Sequence, residues 1–181
     1  MTALTLLDLS AAFDTLDHQS IIHRLSSWYG ISGIALKWFS SYLLDRQQKV
    51  KVKNTLSRPM ETSFGVPQGS VLGPILFSLY TAPLSSVIQR HQLNHHLYAD
   101  DTQIYLSLST SDPELSLTQL QDCLRDVFLW MTASKLKLNP DKTEFLFIEN
   151  PKQREKFAHL HPTSLLDQAT DPASTARKLA L

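Results

Sequence analysis

Cysteine is almost absent from this 181-residue chain, which carries Cys123 alone. A single cysteine excludes an internal disulfide framework, and its place within a helical pattern predicts a small buried thiol in a reducing compartment. Long hydrophobic runs are absent too: none approaches the ~18–20 residues of a membrane span, and no basic region with an apolar signal core follows Met1. We therefore expect an intracellular chain, in the nucleus or the cytoplasm, with no membrane partner.

An excess of either charge is also lacking, since Lys plus Arg and Asp plus Glu both number 17. A dedicated nucleic-acid-binding domain is more often basic, so the balance argues mildly against a chain that holds nucleic acid alone. The hydrophobic fraction of 43% is enough for a real core, and the length suits one domain. We divide the chain into a domain over residues 1–149 and a weakly structured tail over 150–181, where apolar periodicity fades.

The apolar pattern mixes strands and helices without regular βαβ alternation. It predicts a buried strand ending near Asp8, a helix capped by Asp17-His18, and a strand over Gln48–Lys53 with one wet face. A second helix would carry the apolar stripe Ile34, Trp38, Phe39, Tyr42 and Leu43. The clearest helix, over 115–135, would have one apolar face made of Leu117, Leu120, Leu124, Val127, Phe128 and Met131. The fold class is therefore α+β, with helices packed on one face of an antiparallel sheet.

The segment HHLYADDTQIYL, residues 95–106, places two adjacent acids inside an otherwise strand-like stretch. It predicts a hairpin with Asp100 and Asp101 at its tip. Adjacent carboxylates repel, so the pair is either a plain β-turn or part of a divalent-cation site whose ions remove the repulsion. Asp8 ends a strand 92 positions before Asp100, and it would complete such a site if the two elements are neighbours in one sheet. A two-metal nuclease or phosphatase would also use clustered acids.

Four segments in series decide between these classes. LLDLSAAFDTLDH (6–18), FGVPQGSVLGPILF (64–77), Tyr98-Ala99-Asp100-Asp101 and LKLNPDKTEFLF (136–147) resemble, in the right order, the palm motifs of reverse transcriptases, in the form found in LINE-type non-LTR retrotransposons. The resemblance covers roughly residues 3–149. It implies a polymerase palm and an RNA-directed DNA polymerase that adds deoxynucleotides to a primer by two-metal nucleotidyl transfer.

The resemblance also implies roles for individual residues. Asp8, Asp100 and Asp101 would bind two Mg²⁺ ions, or Mn²⁺ in their place. Lys142 would neutralise or protonate the departing pyrophosphate, although its position also suits a solvated turn lysine. Phe13 would lie beneath the incoming sugar and exclude a 2′-hydroxyl, whereas the residues alone favour a core aromatic.

The remaining implied residues bind substrate. Gln68 would hydrogen-bond the nucleotide or template through its amide, and Gly69 would allow close backbone approach in the same loop. Composition alone would make this loop only a Gly-Pro entry to a helix. Tyr98 would abut the primer end or pack beneath the acids.

The chain departs from the family on both sides of these motifs. Only seven residues precede Asp8, where the family has a fingers region, and no recognisable thumb follows. Fingers and thumb are therefore expected to be largely missing. The implied partners are an RNA template with a DNA primer, deoxynucleoside triphosphates, and proteins of the element that supply the missing regions. The alternative is a catalytically inactive retrotransposon-derived fragment that acts at most as an interaction module.

Overall fold

A computed structural model of the chain describes residues 1–67, 69–109 and 112–148. These residues form two compact units, one made of Met1–Ser10 with the described residues from 82 onward, the other of Ala11–Thr81. The predicted tail, 150–181, lies outside the described residues. Within the described ranges, no helix combines the length and the apolar character needed to cross a bilayer.

The first unit is built on a four-stranded antiparallel sheet with the strand order β6-β7-β1-β8. Side chains of the central strand alternate, so Ala3, Thr5 and Leu7 are buried while their neighbours face the other side. The predicted hairpin is confirmed to within a residue or so at each end. The strands are β1 (Thr2–Leu7), β6 (Asn94–Tyr98), β7 (Asp101–Ser107) and β8 (Glu144–Ile148).

Two helices cover one face of this sheet, as predicted: α4 (Pro83–Arg90) contacts β6, and α5 (Pro113–Ala133) contacts β7 and α4. α5 begins where the Asp112 carboxylate accepts a hydrogen bond from the Leu115 amide at 3.0 Å. Its buried residues recur at helical spacing, which is why this face packs: Leu117, Leu120, Cys123, Leu124, Val127 and Met131.

One residue of the predicted α5 face is not in the core. Phe128 is only half-buried, because its ring borders an open groove of about 490 Å³ beside Leu136 and Leu138. Just before the Asn139-Pro140 turn, Leu138 forms an isolated β-bridge with Leu9.

The second unit packs three helices, α1 (His18–Ser27), α2 (Gly33–Leu43) and α3 (Leu72–Thr81). The predicted cap is confirmed: the Asp17 carboxylate accepts hydrogen bonds from the Ser20 amide at 2.9 Å and the Ser20 hydroxyl at 2.6 Å. α1 contacts both α2 and α3. The large side chains buried between them are Leu16, Ile21, Leu25, Leu43, Leu76, Phe77 and Tyr80.

The predicted apolar stripe of α2 is mostly not buried. Leu43 is in the core, but Ile34 is 88% exposed, and Trp38 lies on the surface with its ring stacked on Tyr42 at 5.7 Å. Periodicity identifies which face of a helix is apolar, whereas burial also requires an element that covers that face.

The prediction of one strand over Gln48–Lys53 is wrong. β2 (Arg46–Gln48) pairs with β5 (Met60–Thr62), and β3 (Lys51–Val52) pairs with β4 (Thr55–Leu56). Lys53 adopts a left-handed φ of 54°, which turns the chain back after two residues. The expected buried face is missing as well, since Val52 is 65% exposed.

Candidate active site

Asp8 stands directly after β1, on the same side of the sheet as Leu4 and Leu6 by strand alternation. Its side chain is half-buried, with 24% exposed. The backbone amide of Asn139 donates to the Asp8 carbonyl oxygen at 2.9 Å, so the main chain that presents this carboxylate is fixed.

Asp101 reaches the same edge through the register of the sheet. β1 and β7 are antiparallel and their last pair is Leu7 with Thr102, so the next residues, Asp8 and Asp101, follow on from it side by side. The position of Asp101 is set by the hairpin, in which Tyr98 pairs with Asp101 and a two-residue connection joins the strands. Ala99 takes a φ of 53° there, the left-handed conformation that such tight turns require. Residues 93 positions apart are thereby neighbours.

An open groove of about 370 Å³ lies at this edge and is lined by both carboxylates. Its full lining is Leu6, Leu7, Asp8, Asp101, Asp141, Lys142 and Glu144. Asp100, which the structure describes within the turn, does not contribute to the lining. Among the described residues, no three Asp, Glu, His or Cys side chains are gathered closely enough to hold one ion. The structure therefore brings together two of the three predicted carboxylates, and their metal-binding role stays a prediction.

Lys142, the predicted fourth-motif lysine, reaches the Asp8 carboxylate. Its Nζ lies 3.8 Å from Asp8 Oδ2, and its side chain is 69% exposed. An exposed ion pair of this length is worth under about 1 kcal/mol, so the contact is easily exchanged for another. The arrangement offers a mobile cation beside a fixed anion at the mouth of the groove.

Asn139 is a site residue that sequence reasoning treated only as part of a turn. Its Oδ1 accepts from the Asp141 amide at 3.2 Å, and its carbonyl accepts from the Thr143 hydroxyl at 2.7 Å. Its Nδ2 lies 3.4 Å from Asp8 Oδ1, a long contact at the limit of hydrogen bonding. An Asn before Pro signals the turn, but nothing in the sequence signals a contact with Asp8, 131 positions away.

Phe13 belongs to the second unit, in a 3₁₀ turn over Ala12–Asp14. Its ring is half-buried and packs against Phe77, with the centroids 5.0 Å apart. The contact with Phe77 agrees with the interpretation of Phe13 as a core aromatic. Exclusion of a 2′-hydroxyl by the exposed edge of the ring stays a prediction.

The loop that follows β5 is locked to this turn. The Val66 amide donates to the Phe13 carbonyl at 3.0 Å. Gly65 has a φ of 82°, and a Cβ there would lie 3.1 Å from the Asp14 Cα, so only glycine fits. Sequence reasoning placed His18 only in the helix cap, whereas the structure buries it and its Nε2 donates to the Gly65 carbonyl at 2.7 Å.

The other predicted substrate-binding residues are placed less fully. Gly69 adopts a φ of 76° with open space around its Cα, and Gln68 lies outside the described residues. Tyr98 is 73% exposed on the sheet face that carries Asp101. Packing of Tyr98 beneath the acids and its contact with a primer end both stay predictions.

Comparison with known proteins places this geometry in context. A family model described as reverse transcriptase (RNA-dependent DNA polymerase) matches residues 1–169. The probable RNA-directed DNA polymerase from transposon BS of Drosophila melanogaster is 35% identical over 147 residues, 76% of this chain and 15% of that protein. The RNA-directed DNA polymerase from mobile element jockey of the same species is 29% identical over 143 residues, 75% of this chain and again 15% of that protein. The chain thus spans a small part of these relatives.

Solved structures of telomerase share the fold. The apo enzyme from Candida tropicalis superposes with a TM-score of 0.61 at 16% identity, covering 82% of this chain and 31% of that chain. Telomerase from Candida albicans, in complex with a fragment of telomeric RNA, gives a TM-score of 0.63 at 15% identity over 81% of this chain and 28% of that one. At these identities the likeness concerns the fold alone, and it confirms the predicted partial palm.

Proposed function

The chain belongs to the reverse transcriptase family, as its four motifs predicted, and its relatives are those of LINE-type elements. From that premise we propose that its first unit carries the catalytic face of an RNA-directed DNA polymerase. The reaction is the addition of deoxynucleotides to a primer paired with an RNA template.

The observation that carries this proposal is the adjacency of Asp8 and Asp101. Nucleotidyl transfer needs hard oxygen ligands from separate segments at one point, and the pairing of Leu7 with Thr102 supports that arrangement. A plain β-turn, the alternative for Asp100-Asp101, gives no reason for a third acid to lie against the same edge.

The residues of the groove fit a divalent cation, because its acids offer only carboxylate oxygens, the donors that Mg²⁺ prefers. Asp8 and Asp101 would hold the ions, Mg²⁺ or Mn²⁺, with Asp100 as the third ligand. Two such ions, when bound, stabilise the attacking and leaving oxygens of the transfer. Lys142 and Asn139 lie against the Asp8 carboxylate in the structure, so a cation bound by Asp8 would compete with the Lys142 contact.

Two further side chains act on the substrate in this proposal. The Nζ of Lys142, released from Asp8, turns to the departing pyrophosphate and donates a proton to it as a general acid. The exposed edge of the Phe13 ring excludes a 2′-hydroxyl. Partners of the reaction are an RNA template with its DNA primer and deoxynucleoside triphosphates.

Primer extension on an RNA template with Mg²⁺ tests the function. The wild-type chain should extend a labelled primer, and Asp8→Asn and Asp101→Asn should each abolish extension. Glu114→Gln, an exposed carboxylate in the first turn of α5, removes the same charge away from the groove and should extend normally. A folded wild-type chain that never extends a primer, either alone or in place of the matching segment of a relative, would favour a non-catalytic interaction module.

A further inference from the structure

Positive charge is concentrated in one short stretch of the second unit, although the whole chain is neutral. Between Asp45 and Glu61 the sequence contains no acid. We call residues 46–58 the basic hairpin. Its cations are Arg46, Lys49, Lys51, Lys53 and Arg58.

Most of this charge has no counter-charge in the described part of the chain. Lys49, Lys51, Lys53 and Arg58 are exposed, and none of them lies within ion-pair distance of a described carboxylate. Arg46 is half-buried, with its guanidinium 5.8 Å from the centroid of the Tyr42 ring. Unpaired cations on a neutral protein create a local positive potential that attracts a polyanion.

The hairpin holds three lysines close together along the chain: Lys51 lies in β3, Lys49 comes just before this strand, and Lys53 lies in the turn after it. β3 pairs with β4, and the ladder continues where Ser57 donates to the Val50 carbonyl at 2.9 Å and its hydroxyl accepts from the Val50 amide at 2.9 Å. Lys53 has a left-handed φ of 54°, so the three lysines do not continue one strand. Several exposed cations within five residues suit the repeating phosphates of a nucleic-acid strand better than a single anionic group.

The apolar side chains of the hairpin are also left uncovered. Val50, Val52 and Leu56 are all more than half exposed. A two-stranded hairpin is marginally stable by itself, so a bound partner that covers it would stabilise it.

A groove beside the hairpin extends the surface. Its volume is about 590 Å³, and its lining includes Arg46, Gln47 and Gln48 of β2, Phe64 and Gly65, and the two acids Asp14 and Glu61. The amides of Gln47 and Gln48 can donate to and accept from base edges, and the partly exposed ring of Phe64 offers a surface for base stacking. Such amide and aromatic groups favour a nucleic acid over an acidic protein segment.

We propose that the basic hairpin and this groove bind a single-stranded RNA, with the lysines on its phosphates and the groove on its bases. The inference rests on the proposed function, in which that strand is the template. It adds an interaction surface distinct from the acids of the first unit.

Fluorescence anisotropy of a labelled 20-nucleotide RNA, titrated with the full chain at several salt concentrations, tests the surface. The variant Lys49→Gln, Lys51→Gln, Lys53→Gln should bind at least about tenfold more weakly, and the slope of log K against log[salt] should fall by about 0.7 for each phosphate that the variant no longer neutralises. A control removes three exposed cations elsewhere, by Lys37→Gln, Arg90→Gln and Lys137→Gln, and should bind like the wild type. Circular dichroism melting verifies that both variants fold.

Three results would overturn the inference: a wild-type chain that does not bind the RNA, equal losses of affinity in the two triple variants, or displacement of the RNA by polyglutamate as readily as by unlabelled RNA. Binding needs no catalysis, so the two proposals fail separately. Selective loss of affinity in the hairpin variant with no primer extension by the wild type leaves this surface standing and removes the polymerase. Primer extension by the wild type, together with equal RNA affinities of the two triple variants, leaves the polymerase standing and removes this surface.

Discussion

Replacement of Asn139 tests how firmly the turn before β8 is tied to Asp8. Asn139→Ala removes the acceptor for the Asp141 amide, which acts as a cap for the 3₁₀ turn, and the donor near Asp8 Oδ1. Loss of a cap costs about 1 kcal/mol, and the long contact with Asp8 adds a few tenths more. We expect a loss of about 1.5 kcal/mol in the free energy of unfolding, which lowers Tm by roughly 3–6 °C for a chain of this size.

Asn139→Asp separates the two contacts. It keeps an oxygen for the Asp141 amide but sets a second negative charge beside Asp8, a repulsion of about 1 kcal/mol even at the dielectric of water. Urea unfolding at pH 7 should show both variants destabilised. Only the Asp variant should recover stability when salt is added, because salt screens the repulsion between the two carboxylates. An unfolding free energy for Asn139→Ala equal to that of the wild type would refute the reasoning.

Three further predictions concern the packing. Leu120→Ala, at a fully buried position, should cost about 2–5 kcal/mol in urea unfolding, and Phe128→Ala should cost clearly less than the ~3–5 kcal/mol of a buried Phe, since its ring is half-exposed. Gly30→Ala should cost the ~1–2 kcal/mol of left-handed strain. Gly65→Ala should cost more than Gly30→Ala, because at Gly65 the new Cβ also meets neighbouring backbone. Equal losses of unfolding free energy in the two variants would contradict this. Burial raises the pKa of the Cys123 thiol from 9.0 to about 12. The native thiol should therefore react with Ellman's reagent at pH 8 only after the protein unfolds. The stability that this group contributes should be intact below pH 9 and lost as pH rises from 9 to 12.

Local patterns predicted the elements that position the acids. An apolar run located β1, the Asp-Asp pair marked the tip of the hairpin, and the Asp17 cap located α1, because each depends on neighbours along the chain. Family resemblance then indicated which strands meet. The pairing of Leu7 with Thr102 itself is a tertiary fact that no local pattern contains.

Surfaces were predicted less well than elements. The stripe of α2 and the alternation of Gln48–Lys53 both promised a buried face, yet Ile34 and Val52 are exposed. An apolar pattern reports what a segment offers for packing, and only the rest of the fold decides what covers it. The contact between Asn139 and Asp8 was also missed, because it joins residues 131 positions apart and no local pattern connects them.

The central claim is that the side chains of Asp8 and Asp101 face each other across the end of the sheet. A double-mutant cycle with Asp8→Asn and Asp101→Asn, measured by urea unfolding at low salt in EDTA, tests it without substrate or metal. The energy of the Asp8 contacts with Lys142 and Asn139 is lost in both arms of the cycle and cancels. The coupling energy therefore reports the interaction between Asp8 and Asp101. The account predicts a coupling energy of about 0.5 kcal/mol or more that reflects repulsion between the acids. Additivity of the two substitutions to within about 0.3 kcal/mol would contradict it.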